Sequence, residues 1–185
     1  MGKIILVTGG ARSGKSSFAE KLALKIGGSR AAYIATPQIF DDEMNFRVKL
    51  HQSRRGKNWT TFEAPFDAEK KILDAGKNFK AILFDCVTIY VSNFLCAADL
   101  DDENFLYAEL RGLIEKIIDA AKNSDAVTIF VTNEVGAGIV PENKLARRFR
   151  DLAGLANQML AAEADEVFLT VAGLAVDLKK LNANR

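Results

Sequence analysis

Cysteine and histidine are almost missing from this sequence. Cys86 and Cys96 are the only thiols and His51 is the only imidazole among 185 residues. The two cysteines lack the spacing of a metal site, and without a secretion signal they read as reduced thiols. An excess of positive charge is missing too. Lys and Arg number 25 against 24 Asp and Glu, for a net charge of +1. That balance argues against a nucleic-acid partner, which a strong positive field would attract. No apolar run is long enough to cross a membrane, so insertion is not expected. An apolar strand begins at Lys3 and leaves no room for a signal peptide. Together these absences predict a cytoplasmic location. There is no internal repeat, no low-complexity segment and no linker. With 49% apolar residues, the chain has enough material for one core,. A single domain over residues 1–185 is expected.

What is present begins with Gly9-Gly10-Ala11-Arg12-Ser13-Gly14-Lys15-Ser16. This is G-x-x-x-x-G-K-S, the phosphate loop of P-loop nucleotide-binding proteins. Gly9 and Gly14 are expected to supply backbone angles that a side chain would forbid. The loop can then turn its N–H groups inward around an anion. Lys15 is expected at the β- and γ-phosphates of a nucleotide, and Ser16 on Mg²⁺. The flanks agree. Lys3 to Thr8 is an apolar, β-branched run suited to a buried parallel strand. Ser17 to Ile26 has helical spacing, with Phe18, Leu22 and Ile26 on one face. A helix N-terminus would therefore point at the phosphates.

Strand and helix patterns alternate along the rest of the chain. Strands are expected at 31–36, 59–63, 81–85 and 126–132. Two more, at 166–172 and 174–178, meet at Gly173 as an edge hairpin. Helices are expected at 40–55, 67–77, 87–97, 102–122 and 144–164. The helix at 102–122 carries Leu106, Leu110, Leu113, Ile117 and Ala121 along one face,. This alternation predicts an α/β P-loop NTPase fold, RecA-like, with a mostly parallel sheet and helices on both faces. An antiparallel edge strand is expected near the C-terminus. Ligands of such sheets sit beyond the carboxyl ends of the strands.

Polar residues gather at those ends. Asp85 closes the apolar strand Ile82-Leu83-Phe84. Alone it reads equally well as a helix cap, but beside a phosphate loop a role on Mg²⁺ is favoured. Arg47, His51 and Arg55 share one helical face at i, i+4, i+8. Guanidinium groups nearby would keep the imidazole neutral and nucleophilic. Spacing alone favours the plainer alternative, an ordinary histidine on a solvated face. The long loop 132–143, with Asn133 and Glu134, is expected to contact ligand. Arg147, Arg148 and Arg150 fit an anion-facing role and a solvated one equally.

The motifs together resemble one family. ILVTGGARSGKS, YIAT followed by DDEM-x-x-R-x-x-x-H, FDC, TNEVG-x-GIVPEN and LAR-x-FRDLAG-x-x-NQ span nearly the whole chain. They are similar to the bifunctional adenosylcobinamide kinase/adenosylcobinamide-phosphate guanylyltransferase family of cobalamin biosynthesis. The resemblance implies phosphorylation of adenosylcobinamide by ATP or GTP. It then implies GMP transfer from GTP to adenosylcobinamide phosphate, giving adenosylcobinamide-GDP and pyrophosphate. It also implies a histidine–GMP intermediate on His51 and a homotrimer. Nucleotide contacts carry over to Gly9–Ser16, Ile34, Ala35, Thr36, His51, Gln52, Ser53, Arg54, Glu63 and Asp85. A simple metabolite kinase and a nucleotide-dependent switch are the competing classes. The first would form no covalent nucleotide, and the second would use no small acceptor.

Overall fold

The computed structural model describes residues 2–28, 30–38, 58–98 and 102–182. The helix expected at 40–55, with Arg47, His51 and Arg55, lies outside the described residues, as do Gln52, Ser53 and Arg54.

Among the described residues, seven strands form one sheet: β1 (Ile4–Gly9), β2 (Ala31–Ala35), β3 (Trp59–Glu63), β4 (Ala81–Asp85), β5 (Val127–Val131), β6 (Glu166–Val171) and β7 (Leu174–Asp177). Their spatial order is β3-β2-β4-β5-β1-β6-β7. The first six pair in parallel, and only β7 runs antiparallel, against β6. Among the described residues the helices are α1 (Lys15–Gly27), α2 (Ala68–Gly76), α3 (Val87–Ala97), α4 (Glu103–Lys122), α5 (Lys144–Glu163) and the short α6 (Leu178–Leu181). This is the α/β P-loop architecture expected from the alternation, edge strand included.

Both faces of the sheet are covered because side chains alternate along each strand. In β1, Ile4 and Leu6 join a core shared with α2, α3, α4 and α5. Ile5 and Val7 point the other way, to the core that α1 closes with Ala19 and Ala23. Small residues on α1 let it lie close against the sheet, while Phe18, Leu22 and Ile26 pack as its half-buried rim. The expected apolar face is therefore correct in direction, but alanines form its centre. On α4 the buried row includes Ile114 and Ile118, where the sequence pattern had placed Leu113. Asp102 caps α4, its carboxylate accepting from the N–H groups of Asn104 and Phe105,. The last expected strand stops at Asp177, which caps α6 by accepting from the N–H groups of Lys179 and Lys180.

Because six strands run the same way, their carboxyl ends share one edge of the sheet. Register then fixes which residues meet there. Ala35 lies beside Glu63 on one side and Asp85 on the other. Asp85 lies beside Val131, and Gly9 beside Thr170. Phe84, one residue before Asp85, is fully buried and packs against the rings of Tyr90 and Phe130 at 5.6 and 5.2 Å. Its truncation would leave a cavity that a close-packed sheet cannot refill. Phe84→Ala is expected to lower stability by about 3–5 kcal/mol with an unchanged denaturant slope. Urea unfolding checks this; a loss below about 1 kcal/mol would show that the core relaxes around the gap.

Candidate nucleotide site

The loop after β1 is built around two close approaches. A side chain at Gly9 would meet Thr170 Oγ1 at 2.4 Å and Ser13 Oγ at 2.6 Å. Gly9 is therefore required for space, and its φ of 159° also lies in a range that L side chains rarely adopt. Gly14 answers to both demands as well. Its φ of 97° is a left-handed conformation, and a Cβ would lie 3.0 Å from Gly173 Cα,. Arg12 completes the turn at a φ of 57°. Helix α1 starts at Lys15, two residues earlier than its periodicity indicates. Gly14 precedes it, and no side chain caps its first N–H groups. Those donors are the ones an anion can satisfy.

Lys15 folds back over the loop and donates from Nζ to the Gly10 carbonyl at 3.0 Å. Burial lowers its pKa from the ordinary lysine value, while Cys86 and Asp85 pull it back up. The structure thus brings Lys15 and Asp85, from β1–α1 and β4, within electrostatic reach of each other. Asp85 is held from a third element. Tyr33 of β2 donates its phenol proton to Asp85 Oδ2 at 2.7 Å. That bond fixes the carboxylate and engages one of its two oxygens.

Around Asp85 the ends of the strands are tied by buried polar groups. Thr36 Oγ1 donates to the Cys86 carbonyl at 2.9 Å and accepts from the Cys86 N–H at 2.8 Å. Asn93 donates to the Thr36 and Pro65 carbonyls. Asn133 donates to Thr88 Oγ1 at 2.7 Å, and Thr132 donates to Asn157 Oδ1 at 2.7 Å. The Glu134 N–H donates to the Gly9 carbonyl at 3.0 Å, which ties loop 132–143 to the phosphate loop. Farther along that loop, Ile139 is 96% exposed.

One expected contact, Ile34, turns its side chain away from this edge. Ile34 is fully buried, with its side chain in the core, so it has no side-chain route to a ligand. Glu63 is exposed at the end of the outer strand β3. The arginines of α5 take a third role that their charge did not suggest. Arg147 donates to the carbonyls of Pro141 and Glu142, Arg150 to that of Gly138, and Arg148 pairs with Glu103. Arg147 and Arg150 brace the loop that precedes them, while Arg148 ties α5 to the start of α4. Tyr33, Thr88, Asn157 and Thr170 were missed by sequence reasoning. Tyr33 stands in the YIAT stretch that carries the resemblance, but its partnership with Asp85 depends on the β2–β4 register.

Among the described residues, no group of three or more His, Cys, Asp or Glu side chains could form a metal cage. Ser16 and Asp85 instead offer a hydroxyl and a carboxylate oxygen, the hard donors Mg²⁺ takes when phosphates and water complete its shell. The donor set fits that ion.

The model of the CobU family, described as cobinamide kinase / cobinamide phosphate guanyltransferase, matches residues 5–178. The chain belongs to this family. It is 46% identical to the bifunctional adenosylcobalamin biosynthesis protein CobU of Salmonella typhimurium, over 95% of this chain and 99% of that protein. It is 38% identical to the corresponding CobP of Pseudomonas aeruginosa, over 94% of this chain and 96% of that protein. Among solved structures, the flagellar accessory protein FlaH of Methanocaldococcus jannaschii overlays with a TM-score of 0.47 at 15% identity, covering 94% of this chain and 74% of that chain. Among the described residues, no helix is long and apolar enough to cross a membrane.

Cys86, in the family's FDC stretch, is buried, and Cys96, near the end of α3, is exposed. Burial pushes the Cys86 thiol up from 9.0 to about 11. A raised thiol pKa favours the folded state below the ordinary range, and this contribution fades as pH climbs through about 11. At neutral pH an aromatic disulfide reagent is expected to modify one thiol quickly and the second only on unfolding. Two equally fast thiols in the folded protein would place Cys86 at the surface.

Proposed function

We propose that this chain is a single catalytic domain that performs both reactions of its family. It phosphorylates the aminopropanol hydroxyl of adenosylcobinamide with ATP or GTP. It then transfers GMP from GTP to the resulting phosphate. The observation that carries the reading is the family match across residues 5–178, on a chain whose phosphate loop, Lys15 and Asp85 share one sheet edge.

In the kinase step, the acceptor hydroxyl oxygen attacks the γ-phosphorus and loses its proton to solvent. The bond from that phosphorus to the β-bridging oxygen breaks, and the nucleoside diphosphate leaves. The N–H groups of Gly9–Ser16 and the Lys15 ammonium stabilise the charge that moves onto the β-phosphate. In the guanylyl step, a ring nitrogen of neutral His51 attacks the α-phosphorus. The bond between the α-phosphorus and its bridging oxygen breaks, and pyrophosphate leaves. A phosphate oxygen of the corrinoid then attacks the histidine-bound phosphorus and restores the imidazole. Covalent catalysis divides one difficult displacement into two. Mg²⁺, when bound through Ser16 and Asp85, would neutralise phosphate charge. The remaining nucleotide contacts are assigned to Ala35, Thr36, Gln52, Ser53, Arg54 and Glu63. A cytoplasmic homotrimer completes the reading, its trimeric state resting on the family resemblance.

His51→Ala separates the two reactions. GMP transfer is expected to vanish, because no atom remains to carry the intermediate, while phosphorylation of adenosylcobinamide continues. α-labelled GTP should leave acid-labile, base-stable label on the parent protein and none on the variant. Label that persists on His51→Ala would name another nucleophile. γ-labelled GTP should deliver its label to the corrinoid in both proteins.

Lys15→Ala is expected to slow both reactions by about 10²-fold or more, since both transition states place charge on phosphates held by one loop. Steady-state rates for each step check this. Parent-like kinase turnover in a folded Lys15→Ala protein would remove the phosphate loop from the mechanism.

A further inference from the structure

The phosphate loop leans on a part of the chain about 160 residues away. Ser13 Oγ and Thr170 Oγ1 lie 2.7 Å apart, and Thr170 Oγ1 donates to the Thr8 carbonyl at 3.2 Å. A hydroxyl has one proton to give. If Thr170 gives its proton to Thr8, the Ser13 hydroxyl must donate to Thr170. The chain of bonds therefore runs from Ser13 through Thr170 to Thr8, and each proton has one direction. The two hydroxyls are shielded from water: Ser13 is 8% exposed and Thr170 1%. Gly9 makes room for them, since any Cβ there would collide with both oxygens.

A second contact fixes the other end of the loop. The N–H of Gly173, in the β6–β7 turn, donates to the Ser13 carbonyl at 2.9 Å. Ala172 and Gly173 both have positive φ, at 51° and 82°, so the turn is a tight one that presents this N–H,. The Gly173 backbone also packs against Gly14, where an added Cβ would lie 3.0 Å from Gly173 Cα. Side chain and backbone of Ser13 are thus both held by the hairpin.

We infer that Thr170 is a positioning residue for nucleotide binding, holding the phosphate loop in its anion-binding shape through Ser13. This rests on the reading of Gly9–Ser16 as the loop that takes the nucleotide's phosphates. The Thr170 hydroxyl, occupied by Ser13 and Thr8, contacts no phosphate itself. Its effect is preorganisation. A loop already folded loses less freedom when the anion arrives. A loop held only part of the time binds with an affinity reduced by that fraction. Both reactions draw on the same loop, so both should feel the change in KM for nucleotide, with kcat nearly conserved.

The test uses the full chain and GTP as the probe, with affinity read by titration calorimetry. Thr170→Val keeps the shape and removes the hydroxyl, leaving the Ser13 proton and the Thr8 carbonyl without their partner. It is expected to weaken GTP binding about tenfold and raise KM for GTP similarly in both reactions, with kcat within about twofold. Thr170→Ser keeps the hydroxyl and should bind within about threefold of the parent. Ser13→Ala removes the same bond from the loop side. It should match Thr170→Val, and the double variant should be no weaker than either single one, as for two partners of one bond. Parent-like affinity in folded Thr170→Val, or a double variant that adds the two losses, would overturn the inference. If Thr170→Val fails to fold, unchanged affinity in folded Ser13→Ala does the same. Lys15→Ala separates this failure from that of the underlying reading. When it loses GTP and Thr170→Val does not, only the positioning role is wrong. When Lys15→Ala binds as the parent does, the loop does not hold the nucleotide and both fall.

Discussion

An anion-binding loop must keep its N–H groups unpaired and inward, and that is an unstable thing for a backbone to do. Buried donors without partners are costly, and a free loop would turn them to water or to its own carbonyls. The loop 9–16 can hold its shape only if its outward-facing groups are satisfied elsewhere. They are. The Gly9 carbonyl accepts from Glu134, the Ser13 carbonyl from Gly173, and the Ser13 side chain is joined to Thr170. The Gly10 carbonyl accepts from Lys15 and from Ser13 N–H. Strand order makes these bonds possible, because β1 lies between β5 and β6 and so has the ends of both beside its own.

The same constraint explains what could be read from the sequence and what could not. Strands and helices were legible because burial imposes periods of 2 and 3.6 on local residues. The G-x-x-x-x-G-K-S stretch was legible because glycine, lysine and serine have chemistry that does not depend on distant partners. One reason for Gly9 was not. It needs space beside Thr170, and only the β1–β6 register reveals that neighbour. Tyr33 and Asp85 met the same obstacle across the β2–β4 pairing. The arginines of α5 were open between two roles, and for Arg147 and Arg150 the carbonyls of the loop before them supplied a third. In α1 the pattern marked large residues, whereas close approach to the sheet selects Ala19 and Ala23.

Desolvation acts in opposite senses on two neighbours at this edge. It lowers the pKa of Lys15 and raises that of Cys86. Each shift disfavours the charged form of its group. For Cys86 the outcome is a neutral thiol at physiological pH, whose hydroxyl neighbour Thr88 lies 3.1 Å away. Cys86 is then packing material, in the family's FDC stretch but not a nucleophile. For Lys15, Asp85 opposes the loss of charge. An ammonium that is partly stripped of water and held near a carboxylate interacts with a phosphate more strongly than a surface lysine would.

Two transfers on one phosphate loop require different phosphorus atoms to be attacked. The loop, Lys15 and Asp85 belong to rigid strand ends, tied to a sheet with covered faces. They are suited to holding one triphosphate in one place for both reactions. The selection between γ- and α-phosphorus must then come from what approaches the nucleotide. In the proposed scheme the corrinoid hydroxyl approaches one and His51 the other. A fixed electrostatic cradle serves both because negative charge develops on a leaving phosphate in each case. Division of labour follows from the rigidity: the sheet edge stabilises departure, and the incoming nucleophile decides which bond departs. A cradle that moved to follow the reaction would have to break its ties to Thr170, Gly173 and Glu134, and the cost of those unmet bonds favours the fixed arrangement.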